Sequence, residues 1–309
     1  MRRLAPVCLA LAAALLGCSS GSGTGGGGGP AGAAESDAAP GGGAPRPQVM
    51  YVDRLPIARY SYTDAEAATI EAAEQILTRR CLATFGIVYE PAAPEPESAP
   101  PADRRYGLSS ASEAARLGYH PDPGPPPAGP DLPEDALRVF YGNRGGDPGS
   151  GGKVEYKGKE VPPEGCFGQS VAHLAKKYDA PREAETARRI STESYEDALT
   201  EPAVREAFRT WSSCMRSSGF PYASPLDPLN DRAFQGEEIS AEEKATAVAD
   251  VRCKEETGLL DTWFGAESAL QRADIDKNTE ALKELRAAHH RKVEAARRII
   301  AEGQNPGSW

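Results

Sequence analysis

Beyond its first residues the chain lacks any apolar run long enough to cross a bilayer, so it carries no later transmembrane helix. It lacks a basic block. Lys and Arg number 35 against 45 Asp and Glu, a net charge of −10, which excludes nucleic acid and anionic lipid headgroups as partners. It lacks C-x-x-C, and its cysteines lie too far apart for a zinc ribbon or finger. Histidine is scarce, with four in all, and no H-E-x-x-H occurs. His290 and Glu294 share a helix face, a spacing that exposed charged helices produce without metal, so no metal site is expected. The glycine-rich stretch before Lys153 lacks the phosphate-loop pattern. Asp147 stands where glycine is needed and Val154 where Ser or Thr is needed. No catalytic residue and no cofactor is expected. Strand patterning is nearly missing too: only 154–161 reads as a small hairpin, turning at Gly158.

Proline and glycine are plentiful, 27 and 32, and they punctuate a helical pattern. The N-terminus differs from the rest. Arg2 and Arg3 precede an apolar run over 4–16, too short to span a membrane and fit for a secretory signal. It ends in Leu15-Leu16-Gly17-Cys18, which looks like the lipobox of bacterial lipoproteins. That resemblance implies a signal peptide over 1–17 and a lipid on Cys18, anchoring the protein to the outer face of the cell membrane. Residues 18–49 are rich in Gly, Ala and Pro and bury too little to offset ordering entropy. They read as a disordered tether with a root-mean-square span of roughly 30 Å.

The remaining region, 50–309, reads as an all-α, disulfide-stapled domain. Thr63 with Glu66, and Ser240 with Glu243, form capping-box patterns; Ser110 with Glu113 opens a shorter helix in the same way. The short helices over 110–142 are expected to pack on the first half of the domain. Cys81-Leu82-Ala83-Thr84-Phe85-Gly86-Ile87-Val88-Tyr89 and Cys214-Met215-Arg216-Ser217-Ser218-Gly219-Phe220-Pro221-Tyr222 share a pattern: Cys, Leu or Met, three residues, Gly, an apolar residue, any residue, Tyr. Each copy is followed by one more cysteine, Cys166 or Cys253. The repeat predicts two related halves, about 50–180 and 181–309. Four cysteines allow three connectivities. The repeat favours Cys81–Cys166 with Cys214–Cys253, each joining a helix-end cysteine to the next helix of its own half. Loops of this size stabilise by roughly 3–5 kcal/mol each.

From Glu267 to Glu302 there is neither proline nor glycine. Ile275, Asn278, Leu282, Leu285, His289, Lys292, Ala296 and Ile299 alternate at spacings of three and four, predicting one long C-terminal helix with a heptad-like seam. Packing back on the domain is favoured over projection toward a partner.

The lipobox, the Trp211-x-x-Cys214-Met215-x-x-x-Gly219 helix end and Asp250-Val251-Arg252-Cys253-Lys254 together resemble uncharacterised secreted lipoproteins of actinobacteria. The resemblance implies a cell-surface location and supplies no activity. The expectation is a non-enzymatic interaction or accessory module of the envelope, meeting a protein partner through the 267–302 helix. A small-ligand or peptide binder is the alternative, with Trp211, Trp263, Phe264 and Tyr222 lining a pocket between the halves. A wall-polymer hydrolase is the third reading.

Overall fold

The computed structural model describes residues 50–91, 103–124, 129–145 and 153–303. The expected signal peptide over 1–17, Cys18 and the expected tether over 18–49 lie outside the described residues. The elements are α1 (Tyr51–Arg54), α2 (Asp64–Thr84), α3 (Ala111–Leu117), α4 (Glu134–Tyr141), β1 (Glu155–Tyr156), β2 (Lys159–Glu160), α5 (Gly165–Tyr178), α6 (Pro181–Ala198), α7 (Pro202–Ser217), α8 (Ala241–Thr257), α9 (Leu259–Lys277) and α10 (Thr279–Gly303). The fold is all-α with a minor antiparallel hairpin. Lys157 and Gly158 both have positive φ, 49° and 76°, as a two-residue I′ turn requires.

Helix starts follow their capping residues. Thr63 accepts from the Glu66 amide at 3.2 Å while the Glu66 carboxylate accepts from the Thr63 amide at 3.0 Å. Ser110 and Ser240 cap α3 and α8 in the one-sided version of this motif. Pro181 and Pro202 occupy the first turns of α6 and α7.

The repeated cysteine segment forms the same helix end twice. In α2, Gly86 donates to the Ala83 carbonyl and Ile87 to that of Leu82, with Gly86 at φ +74°. In α7, Gly219 donates to Arg216 and Phe220 to Met215, with Gly219 at φ +92°. Both are Schellman closures, which need a left-handed residue at the glycine. Leu82 and Met215 are fully buried beneath them. The cysteine one residue earlier sits beside that core, and each finds the partner the repeat favoured. Cys81 joins Cys166 across Cα atoms 5.5 Å apart, and Cys214 joins Cys253 across 5.7 Å. Disulfides of this kind belong to an oxidising, extracytoplasmic compartment.

The two halves exchange elements. α4 packs on α5 as expected, but α3 packs on α8 in the second half. Leu108, Ala114 and Tyr119 form one cluster with Ala247 and Val251, and this apolar match outweighs proximity in the chain. Conversely, α10 lies along α2 and α5.

The expected single helix over 267–302 is two helices. α9 ends at Asn278, whose φ of −116° leaves the helical region and whose amide side chain donates to the Asp274 carbonyl at 2.8 Å. A short polar side chain bonding its own preceding turn competes with helix continuation. The break lets α9 pack on α6 and α7 while α10 turns to α2. The seam packs back on the domain: Ile275, Leu282, Leu285, Lys292 and Ala296 are buried. Lys292 reaches Asp179 at 2.9 Å.

Where α4 ends and α5 begins, the two helices meet backbone to backbone. A Cβ on Gly142 would stand 2.3 Å from the Gly165 amide nitrogen and 2.4 Å from the Pro163 carbonyl oxygen, and both glycines have positive φ. Backbone cannot retreat as a side-chain tip can. Gly142→Ala is therefore expected to destabilise by at least about 2 kcal/mol. Gly236→Ala, where added atoms meet nothing, is expected to change little in the same urea titration.

Candidate binding groove

Residues 50–63 cross the domain as a strap before α2 begins. The strap is too short and too broken to have a core of its own, so buried polar groups fasten it. Asp103 accepts from the Val52 amide at 2.8 Å, and Gln271 accepts from the Ile57 amide at 3.1 Å. Gln271 in turn donates to Glu267 at 2.9 Å and to Ser194 at 3.1 Å.

Glu267 is the centre of this network and has no exposed surface. Arg105 grips it through Nε at 2.9 and 3.1 Å and through a second guanidinium nitrogen, and also donates to the Ser191 carbonyl at 2.7 Å. Tyr106 donates to the other carboxylate oxygen at 2.7 Å. Burial, reinforced by Glu267, raises the Tyr106 phenol above its usual range and keeps it a donor. A buried carboxylate survives only when so fully paired.

Strap, α6 and α10 together enclose a groove of about 1010 Å³, against 400 and 430 Å³ for two smaller clefts on α5 and beside the hairpin. Residues 52–64 form one wall. Ala184, Ala187, Arg188 and Ser191 of α6, and Leu285 and His289 of α10, form the others. Leu55 and Leu285 are buried beneath it. At one end Tyr62 stacks on His289, ring centroids 3.8 Å apart. Burial, then Arg286, lowers the His289 pKa, so this wall is uncharged at neutral pH. Burial also pushes the Tyr62 phenol up to about 12. Arg286 clamps Glu66 at 2.6 and 3.0 Å and holds its carboxyl down at about 2, which fixes the turn from strap to α2.

The aromatic residues singled out from sequence build the core instead of this groove. Trp211 and Trp263 are fully buried. Trp211 donates its indole N–H to Asp250 at 3.0 Å. Trp263 is ringed by Tyr106, Phe208 and Tyr195 at 4.9, 5.0 and 5.5 Å. Phe264 and Tyr222 pack, half-buried, on the same cluster. The space between the halves is filled there by indole and phenol rings. Glu294 pairs with Arg297 at 2.5 Å, and no group of three metal-ligating side chains occurs among the described residues.

Three further buried charged side chains, Lys254, Asp250 and Glu243, hold the second half. Lys254, on the same turn as Cys253, donates to Asp250 and to the Leu108 carbonyl, each at 3.0 Å. Glu243 is fully buried and accepts from the Tyr119 amide and from His120 Nδ1, each at 2.8 Å. His120 Nε2 stands 2.8 Å from the Gly236 carbonyl, which only accepts. Both ring nitrogens thus face acceptors, a geometry only the imidazolium satisfies. The Gly236 carbonyl and then Glu243 raise the His120 pKa above the usual 6.5. With the folded value raised, the stabilisation is complete below about pH 6.5 and is lost as pH rises through the higher value. His120→Ala is expected to flatten the fall in melting temperature between pH 6 and 9. An unchanged slope would remove the clasp.

Compared with known proteins, the chain matches no family model, no curated protein and no solved structure. The groove is therefore read on its own chemistry.

Proposed function

We propose that the protein is a lipid-anchored envelope lipoprotein whose helical domain is a non-enzymatic interaction module, with the strap groove as its binding surface. The observation that carries this reading is the groove itself. It is large, open and floored by apolar side chains from three elements, and its strap is tied to the core through Asp103 and Gln271. Unfilled apolar concavity of this kind is what recognition sites offer. The partner expected at the 267–302 region would then meet Leu285 and His289, which face the groove. The outer face of α10 is a poorer surface, because it neutralises itself. Lys283 pairs with Glu280 at 2.9 Å and Arg291 with Glu284 at 2.6 Å. Glu267, Asp250 and Glu243 are each committed to fold-holding bonds, which supports a non-enzymatic role. The lipid on Cys18 rests on the lipobox pattern, and the proposed tether would hold the domain off the headgroups.

Photo-crosslinking in the native envelope tests this. A probe replacing Ala187 in the groove is expected to yield a discrete adduct, and one replacing Arg291 on the outer face none. Equal adducts, or an adduct from Arg291 alone, would overturn the groove as the binding surface. In the same cells Cys18→Ala is expected to move the protein from membrane to medium.

A further inference from the structure

The two disulfides begin alike and end at opposite poles of their second helices. We propose that Cys81–Cys166 is a redox-responsive bridge, opened by an external dithiol while the domain stays folded, and that Cys214–Cys253 stays closed under the same conditions.

The repeat makes the comparison direct. Cys81 and Cys214 each sit in the last turn of a helix, beside the same Schellman closure, and each is only partly buried. Cys166 and Cys253 are both fully buried. An incoming thiolate therefore meets Cys81 or Cys214 first and expels the buried partner. Those partners differ. Cys166 is the second residue of α5, a helix with no side-chain cap and no acidic residue in its first turn. A thiolate left there lies at the positive end of the helix, beside amides that no capping side chain satisfies. This setting lowers a thiol pKa. Cys253 lies one turn before the end of α8, at the negative end of its helix and inside the Trp211–Trp263 cluster. Apolar burial raises a thiol pKa. A thiol of lower pKa leaves faster, so the first bridge has the better leaving group.

Approach favours the same bridge. The Glu256 carboxylate stands 3.5 Å from the Cys214 sulfur and opposes a negative nucleophile there. Arg252, 3.7 Å from Glu256, offsets this only in part, because both side chains are more than half exposed and screened by solvent. The cleft of about 400 Å³ on α5 is lined by Cys166 and by Leu77, one turn before Cys81, and brings solvent to the first bridge. Glu164 and Lys176 offset one another in that lining, so the helix end, and not a charge excess in the cleft, favours the thiolate. Neither Cys214 nor Cys253 lines this cleft, the groove or the cleft beside the hairpin.

In the exchange, one thiolate of the dithiol attacks the Cys81 sulfur. The S–S bond breaks and Cys166 leaves with the electron pair. The second thiolate of the dithiol then displaces Cys81 from the mixed disulfide. The dithiol ends as its own disulfide, and two electrons and its two protons pass to Cys81 and Cys166. Opening frees the start of α5 from α2 at the corner where the Asn143 amide donates to the Pro163 carbonyl at 2.9 Å.

The test treats the full protein, in detergent without denaturant, with dithiothreitol. Samples are quenched over time, blocked with iodoacetamide and mapped by peptide mass spectrometry. Cys81 and Cys166 are expected to become labelled at least about tenfold faster than Cys214 and Cys253. Equal rates, or faster opening of the second bridge, would overturn the inference. Glu256→Gln, at an exposed position, is expected to speed the second bridge about threefold and leave the first unchanged. An unchanged second bridge would overturn the role given to its carboxylate. The Asn143 amide is expected to exchange hydrogen faster once the first bridge is open, with amides of α8 unchanged. Faster exchange throughout the domain would mean that the bridge opens only by global unfolding, which also overturns the inference.

Discussion

Cys214→Ala is expected to lower stability by about 4 kcal/mol, the chain-entropy value for a loop of 39 residues. In a domain of this size that corresponds to a fall of roughly 8–16 °C in melting temperature. The native state adds to the cost, because Cys253 is fully buried and would be left as an unpaired thiol in the Trp211–Trp263 cluster. Arg216→Ala, two residues on at an exposed position without an ion pair, should cost less than about 0.5 kcal/mol. Equal melting temperatures for the two variants would show that the second disulfide does not limit stability. The loop closed by Cys81 and Cys166 is longer, at 85 residues, and Cys81→Ala should cost slightly more.

Glu267→Ala is expected to cost about 3–5 kcal/mol, because removing one member of a buried ion pair strands the other. The stranded group is Arg105, whose side chain is 18% exposed, and Tyr106, Gln271 and Ser194 lose an acceptor with it. Gln271 would no longer be held where it accepts the Ile57 amide, so the strap should loosen before the rest unfolds. Two readouts follow: a lower urea midpoint, and faster hydrogen exchange at the Ile57 amide than at amides of α8. Glu267→Gln keeps hydrogen bonding while removing the charge, and should fall between wild type and alanine. Glu294→Ala, on the solvent face of α10, is the control, expected within about 0.5 kcal/mol of wild type. If Glu267→Ala matched that control, the buried network would not be what holds the strap.

These buried charges show where reading the sequence stops. Leu260, Trp263, Glu267, Gln271 and Ile275 follow one another at three or four residues. Glu267 and Gln271 therefore sit on the apolar stripe of α9, and Asp250 and Lys254 flank Cys253 one turn apart on α8. Polar residues at core-facing positions were a legible signal that something buried would pair with them. The partners were not legible. Arg105 and Tyr106 come from an irregular stretch 161 or more residues away, and nothing local marks them. The groove was invisible for the same reason, since Ala184, Ala187 and Leu285 are ordinary helix residues until the strap crosses them.

What the sequence determined by itself is local. Capping residues set the starts of α2, α3 and α8, glycines at positive φ ended α2 and α7, and the repeated Cys-Leu and Cys-Met ends carried both disulfides to their partners. Each depends on hydrogen bonds and torsions within a few residues, or on a repeat visible along the chain. Tertiary structure alone decided three things: that α9 and α10 part at Asn278, that α3 crosses to α8, and that Trp211 and Trp263 are core while the strap makes the groove. Apolar burial has no direction and no sequence address. Which faces meet is chosen by the whole set of competing contacts at once.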